Sequence, residues 1–287
     1  MVTYNEAENI EMAIESAKHI CNRIVIVDDG SYDNTVDIAR RTCERLQFKN
    51  EIITLKHTGK IYDTRDLALR RCVGDWILVT DGDFIWHTDG PNDSKGFLAW
   101  AEKYSGKNLY LYSPLCMLYG DYWHTLKSTP VGHPHPFLIK NDTSLRCVKD
   151  KRFFRYITKE PIIKITTKTI FGFHAGGVKS AEMLLYRRFW TPWREYEKFD
   201  KFPTAWDYVK YNVGNDIALK SKKYFRDYML AFEKFVSAKY CYYPKILIKK
   251  MKNEECLKMI YNGGKIIGRS DIGDVSNLKG SFVREEE

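Results

Sequence analysis

Over the first hundred positions the spacing of apolar residues changes repeatedly, and each change marks an element. Ile10, Ala13, Ile14 and Ala17 recur at helical spacing. Asn5 ahead of them is placed as a cap, with Glu8 set to complete a capping box. "RIVIVDDGS" follows, where the β-branched run Ile24 to Val27 stops at two Asp and a Gly, as a strand buried on both faces does. Val36, Ala39, Cys43 and Leu46 return to helical spacing, "EIITL" predicts a strand, and "TRDLALRRC" predicts a helix. "DWILVTDGDF" is then a second buried strand with acidic residues at its end. With the strand end at Met1 and Val2, this is the alternation of a parallel α/β sheet, whose ligands bind beyond the carboxyl ends of the strands. The polar clusters "TYNE", "DDGS" and "TDGD" stand at those ends.

Beyond residue 105 the alternation stops. "NLYLYSPL" and "IIKITTKTIFGFHAGG" predict strands among loops rich in Gly, Pro and His. From Ser180 the pattern is helical and aromatic, clearest in "SAEMLLYRRFW" and "SKKYFRDYMLAFEKFVSAKY", and "KILIKKMKNEECLKMI" is basic and amphipathic. The expected organisation is an α/β domain over residues 1–195 and a mainly helical extension over residues 196–287.

Composition narrows the picture. At 287 residues and 44% hydrophobic content the chain can bury a substantial core. Its formal charge of +9 fits an anionic ligand, a membrane surface touched peripherally, or a merely soluble basic surface. Basic and acidic residues are interleaved, so charge alone does not point to nucleic acid. The seven Cys are widely spaced with no CxxC pair, which predicts reduced thiols in a cytoplasmic setting rather than a disulfide framework or zinc ribbon. No apolar run approaches the roughly 20 residues that span a bilayer.

The acidic strand ends carry the candidate chemistry. Asp81 and Asp83 form a D-x-D around Gly82, able to present oxygens to one hard divalent cation and leave positions for phosphate oxygens. Read blandly, the same residues are a solvated turn. Asp28 or Asp29 could accept the imide N–H of a pyrimidine while Tyr4 offers a ring face. The bland reading there is a turn with Asp33 or Asn34 capping the next helix.

Taken together, "VTYNEAENI", "IVIVDDGSYDNT" and "GKIYDTRDLALRRCVGDWILVTDGDF" resemble the nucleotide-sugar half of a family-two glycosyltransferase, and the resemblance covers residues 1–100. It implies a GT-A fold, Rossmann-like with a mainly parallel central sheet flanked by helices. It further implies that Thr3, Tyr4, Glu6 and Asp29, with Asp28 beside it, hold the nucleoside, and that Asp81 and Gly82 face the nucleotide. Asp81 and Asp83 hold Mn2+ or Mg2+, with His174 a further ligand. Arg65 meets the diphosphate, in a segment where Asp66 stands in place of the family's usual Asn. The implied reaction is inverting transfer of a sugar from a nucleoside diphosphate donor, UDP being the expected nucleotide, to an acceptor hydroxyl. On "YITKEPIIKITTKTIFGFHAGG" the base candidate is Glu160, with Asp142 and Asp150 as weaker alternatives. Lys179, Arg187 and Arg188 could reach phosphate or simply face solvent. His124, His133 and His135 belong to a Pro- and Gly-rich stretch read as an acceptor-side loop. Competing readings are a sugar nucleotidyltransferase, which would need a Gly-rich basic loop where "TYNEAEN" is acidic, and a nucleotide-sugar-binding protein without turnover.

The strand before "TYNE" has only Met1 and Val2, where the family has several apolar residues. The expectation is that a few Ile- and Val-rich residues belong upstream. A chain extended there is predicted to melt at a clearly higher temperature, and equal melting temperatures would count against it.

Overall fold

The computed structural model describes residues 1–103, 109–150, 153–159, 161–196, 198–236 and 241–283. The first elements follow the predicted alternation: β1 (Val2–Thr3), α1 (Ile10–Ile20), β2 (Arg23–Asp28), α2 (Thr35–Arg45), β3 (Lys49–Thr54), α3 (Ile61–Arg70) and β4 (Trp76–Leu78). Next come β5 (Phe84–Trp86), α4 (Ser94–Ala101), β6 (Leu109–Ser113), β7 (Cys116–Tyr119), β8 (His124–Leu126) and β9 (His135–Lys140). They are followed by β10 (Arg146–Asp150), β11 (Phe153–Ile157), β12 (Ile163–Thr166), β13 (Gly172–Gly177), α5 (Ala181–Glu195), α6 (Ala205–Val213) and α7 (Ile217–Met229). The last are β14 (Phe232–Lys234), α8 (Lys245–Met251), β15 (Met259–Asn262), β16 (Lys265–Arg269) and β17 (Gly273–Asp274).

The chain forms two compact units that interleave along the sequence, where consecutive blocks meeting at residue 195 were expected. The first comprises Met1–Met117, Val131–Ala175 and Val236–Lys252; the second comprises Leu118–Pro130, Gly176–Phe235 and Asn253–Glu287.

In the first unit β2 runs parallel between β1 and β3. The far edge of β1 meets residues 80–82: Val2 N–H donates to Thr80 O at 3.3 Å and Gly82 N–H to Val2 O at 3.1 Å. β4, just upstream of that stretch, pairs antiparallel with β9; β9 pairs antiparallel with β6, and β12 lies parallel on β6. The three-stranded sheet β1–β3 is thus parallel, and the four-stranded sheet in the order β12-β6-β9-β4 is mixed. Burial explains the unbroken apolar run in β2. Ile24 and Ile26 pack with Ile10, Ile14 and Phe48 on one face, and Val25 and Val27 pack with Ala68 of α3 on the other. Each such side chain contributes about 1.5–3 kcal/mol by leaving water.

Two local expectations are corrected. The capping box at Asn5 and Glu8 does not form: Asn5 adopts φ 52, its side chain accepts from Tyr32 N–H at 3.0 Å, and α1 starts later, after Asn9. Asn is among the few residues that visit this left-handed region, so its use here is a tight turn joining the first loop to the second. The basic amphipathic stretch is helical only to Met251, because Asn253 accepts from Glu255 N–H at 3.0 Å in a turn that ends it. At the start of α2 it is Asp33 that accepts from Thr35 N–H, at 3.0 Å.

In the second unit α5 packs against both α6 and α7, and Leu184 of α5 with Phe225 and Met229 of α7 shares a core with Met259 and Val275. α7 stops at Met229, and Phe232–Lys234 turns into a strand paired with β8. β15, β16 and β17 form an antiparallel sheet, so the C-terminal region combines helices with strands. No described helix is long and apolar enough to cross a membrane.

His87, just after β5 in the first unit, is fully buried against Phe173 and Tyr242, and neither ring nitrogen has a hydrogen-bond partner among the described residues. Burial lowers its pKa to about 4 from 6.5. Between those values the unfolded chain binds a proton that the folded one does not, so stability is lost as pH falls from 6.5 toward 4. The parent is expected to lose about 3 kcal/mol more than His87→Leu between neutral pH and pH 4, measured by urea unfolding.

Candidate active site

Three chain segments meet at the carboxyl edge of the parallel strands. β1 ends at Thr3, paired with Asp28 at the end of β2, and Asp29 N–H donates to Thr3 O at 2.9 Å. On the other side of β1, Asp81 is bridged to Val2. Gly82 lies so close to the first loop that a Cβ there would stand 2.6 Å from Thr3 Oγ1 and 3.0 Å from Glu6 Cγ. A bare backbone at this position is what lets the D-x-D turn and the first loop share one edge.

At the end of β2, Asp28 is fully buried and holds its own turn. Its Oδ2 accepts from Gly30 and Ser31 N–H at 3.1 and 2.9 Å, and its Oδ1 accepts from the Ser31 hydroxyl. Burial raises the Asp28 pKa, against the opposing effect of these hydrogen bonds. Asp29 Oδ1 accepts from Thr58 N–H and hydroxyl at 3.1 and 3.2 Å, and its Oδ2 accepts from Gly59 N–H at 3.1 Å. His57 Nδ1 lies 3.0 Å from that same Oδ2. The His57 ring stacks on Tyr4 at 4.2 Å with 14° between planes, while Tyr32 meets Tyr4 edge-on. Glu6 is buried, its N–H donating to the Thr35 hydroxyl at 2.7 Å and its carboxylate accepting from Asn9 at 3.4 Å. His57 is absent from the sequence-based candidates. The available signal was a His and a Gly in the short loop after β3, on the ligand side of the sheet.

Beside the D-x-D turn, Arg65 projects from α3 and is nearly buried, its terminal nitrogen 2.7 and 2.6 Å from the two oxygens of Asp81. Burial works against the guanidinium charge, but the Asp81 carboxylate, together with Tyr156 and Cys147 nearby, outweighs it and the pKa is raised. Asp66, in the place of the family's Asn, accepts from Cys147 N–H at 2.9 Å and pairs with Arg70 at 3.0 Å. Asp83 is buried, and its Oδ2 lies 3.3 Å from His174 Nε2. Strand register fixes that approach: β13 pairs antiparallel with β5 so that His174 stands opposite Phe84, and Ala175 N–H donates to Asp83 O at 2.8 Å.

His135, at the start of β9, lies within electrostatic reach of His174, Asp81 and Arg65. It is itself exposed, and His133 also lies within its electrostatic reach. His133 is exposed, and His124 belongs to the second unit, where it is buried 2.6 Å from Asp121 and bonded to the Tyr261 hydroxyl. In the second unit Lys179 is buried, Arg187 donates to Gly176 O, and Arg188 is exposed. Asp142 holds a turn by accepting from Ser144 N–H at 2.6 Å, and Asp150 pairs with Phe153 within the β10–β11 hairpin. Glu160 lies outside the described residues. Among the described residues, no three His, Cys, Asp or Glu side chains are grouped to hold a metal ion.

Residues 1–93 match the model of the family described as Glycosyl transferase family 2. An uncharacterized glycosyltransferase of Rickettsia felis is 36% identical over 83 residues, covering 29% of this chain and 27% of that protein. A cholesterol galactosyltransferase of Borreliella burgdorferi is 30% identical over 83 residues, covering 28% of this chain and 23% of that protein. The matched stretch spans about a quarter of the length of these relatives. Among solved structures, mannosyltransferase PcManGT from Pyrobaculum calidifontis is 14% identical with a TM-score of 0.39, covering 77% of this chain and 70% of that one. The similarity to glycosyltransferases thus rests on residues 1–93 of this chain.

Because Gly82 faces Thr3 and Glu6, Gly82→Ala is expected to cost about 1–3 kcal/mol. Thr3→Ala in the same chain should recover part of that loss by removing the nearest atom. Thermal unfolding of the two single variants and the double checks the coupling, and strictly additive losses would contradict the contact.

Proposed function

We propose that the protein transfers a sugar from a nucleoside diphosphate donor, with UDP as the nucleotide, to an acceptor hydroxyl with inversion at the anomeric carbon. The observation that supports this reading best is the contact of Gly82 with Thr3 and Glu6, which sets the D-x-D turn beside the loop that follows β1. A nucleoside at Tyr4 and Asp29 and a diphosphate at residues 81–83 would then be parts of one ligand.

The donor set at the diphosphate end fits a divalent cation in part. Asp83 supplies a carboxylate and His174 an imidazole, 3.3 Å apart, and diphosphate oxygens would complete the set. Mn2+ or Mg2+ held there would offset the negative charge that the leaving diphosphate gains. The chain's own contribution is positioning and charge. Arg65 fixes Asp81 at the strand end and holds a guanidinium there that suits the oxygens of a phosphate-bearing ligand. In the displacement the acceptor oxygen forms the new bond to the anomeric carbon as the bond to the diphosphate breaks. Glu160, proposed as base from the sequence alone, would take the acceptor's proton.

A binding protein without turnover is the second reading, favoured by one observation: Asp81 is already committed to Arg65 at 2.6 and 2.7 Å. Slow hydrolysis of the donor distinguishes the two.

A panel of nucleotide sugars with manganese, scored by thermal shift and donor hydrolysis, tests the proposal. A UDP-sugar at a hundred times its Kd is expected to stabilise the parent by about 2.7 kcal/mol. Asp83→Ala should lose that stabilisation and the hydrolysis together. No stabilisation by any donor, or a variant that behaves like the parent, would overturn the enzyme assignment.

A further inference from the structure

Between Tyr4 and Asp29 the chain has inserted one of its own rings. The His57 imidazole lies nearly parallel to Tyr4, 4.2 Å from it and tilted by 14°. Its Nδ1 is 3.0 Å from Asp29 Oδ2 and 2.9 Å from Asp29 O. A flat ring on Tyr4 with a ring N–H toward the Asp29 carboxylate is the pair of contacts that a pyrimidine base would make. The carboxylate is otherwise filled by Thr58 and Gly59, so a base has no acceptor position there until this loop gives one up. Close approach of the loop is built into the turn below it. Gly30 has φ +76, and a Cβ on it would stand 2.5 Å from His57 N and 2.9 Å from Leu55 O.

We infer that His57 sits in the nucleobase seat, that a nucleoside binds by displacing it, and that the seat selects a single-ring pyrimidine over a purine. This rests on Tyr4 and Asp29 forming the nucleoside end of the proposed site. The space vacated by an imidazole is one ring wide. A purine's second ring would require residues 57–59 to retreat further and abandon more of their bonds to Asp29. The cost of expelling His57 appears in the measured affinity as the fraction of molecules already open, so removing the ring should tighten binding.

Calorimetric titration of UDP and GDP, with manganese present, into the parent, His57→Ala and His57→Asn tests this. Thermal unfolding of each variant confirms that it folds. The expected result is UDP binding about tenfold tighter to His57→Ala than to the parent, with His57→Asn between them and GDP weaker than UDP throughout. In the parent, the His57 ring resonance, shifted by the Tyr4 ring current and assigned by its loss in His57→Ala, should move toward the free-imidazole position as UDP saturates. Equal or weaker UDP binding by His57→Ala, GDP binding as tight as UDP, or an unmoved His57 resonance would overturn the inference while the parent still bound UDP. No nucleotide binding by parent or variants would overturn the inference and the nucleoside site together.

Discussion

The candidate site depends on β1 lying between two neighbours. Two residues long, it is bonded on one side to β2 and on the other to residues 80–82. Through that one strand, the ends of three segments that are far apart in sequence share an edge, and their acidic and hydroxyl side chains are brought together. Without it the two carboxylate clusters would not share an edge. The inserted backbone also satisfies polar groups on both neighbours that would be costly to bury unpaired.

Holding acidic residues close together raises an electrostatic problem, and the structure meets it locally. Asp28 turns its oxygens into backbone donors, Asp29 is covered by the 57–59 loop, Asp81 is paired with Arg65, and Asp83 faces His174. Each carboxylate thus has a compensating partner that a ligand could replace. A loop N–H can yield to a base, and an imidazole can share a cation with phosphate. Each carboxylate is thus partnered before any ligand arrives, and the proposed ligand would have to displace some of these contacts.

Much of this edge was legible in the chain. The change from a β-branched run to Asp-Asp-Gly-Ser at residue 28, and from Trp-Ile-Leu-Val to Thr-Asp-Gly-Asp at residue 80, marks strand ends, because a doubly buried strand must stop where charge begins. The alternation of β1 through β4 followed from the same reasoning. What was not legible depended on contacts between distant residues. The Asn5 cap failed because Ser31 and Tyr32 compete for it, and Asp81 meets Arg65 only once α3 has packed on the sheet. His57 and His135 carry no local pattern that separates them from ordinary loop histidines. The interleaving of the two units was equally hidden, since local periodicity says nothing about where the chain returns.

The central claim is that the strand ends form one site for one extended ligand. A crystal structure of the protein with UDP and manganese tests it most directly. The account predicts continuous density with the base against Tyr4 and Asp29 and the ion at Asp83 and His174, bridged by the diphosphate. Nucleotide bound elsewhere, or base and ion in separate places with no diphosphate between them, would contradict it.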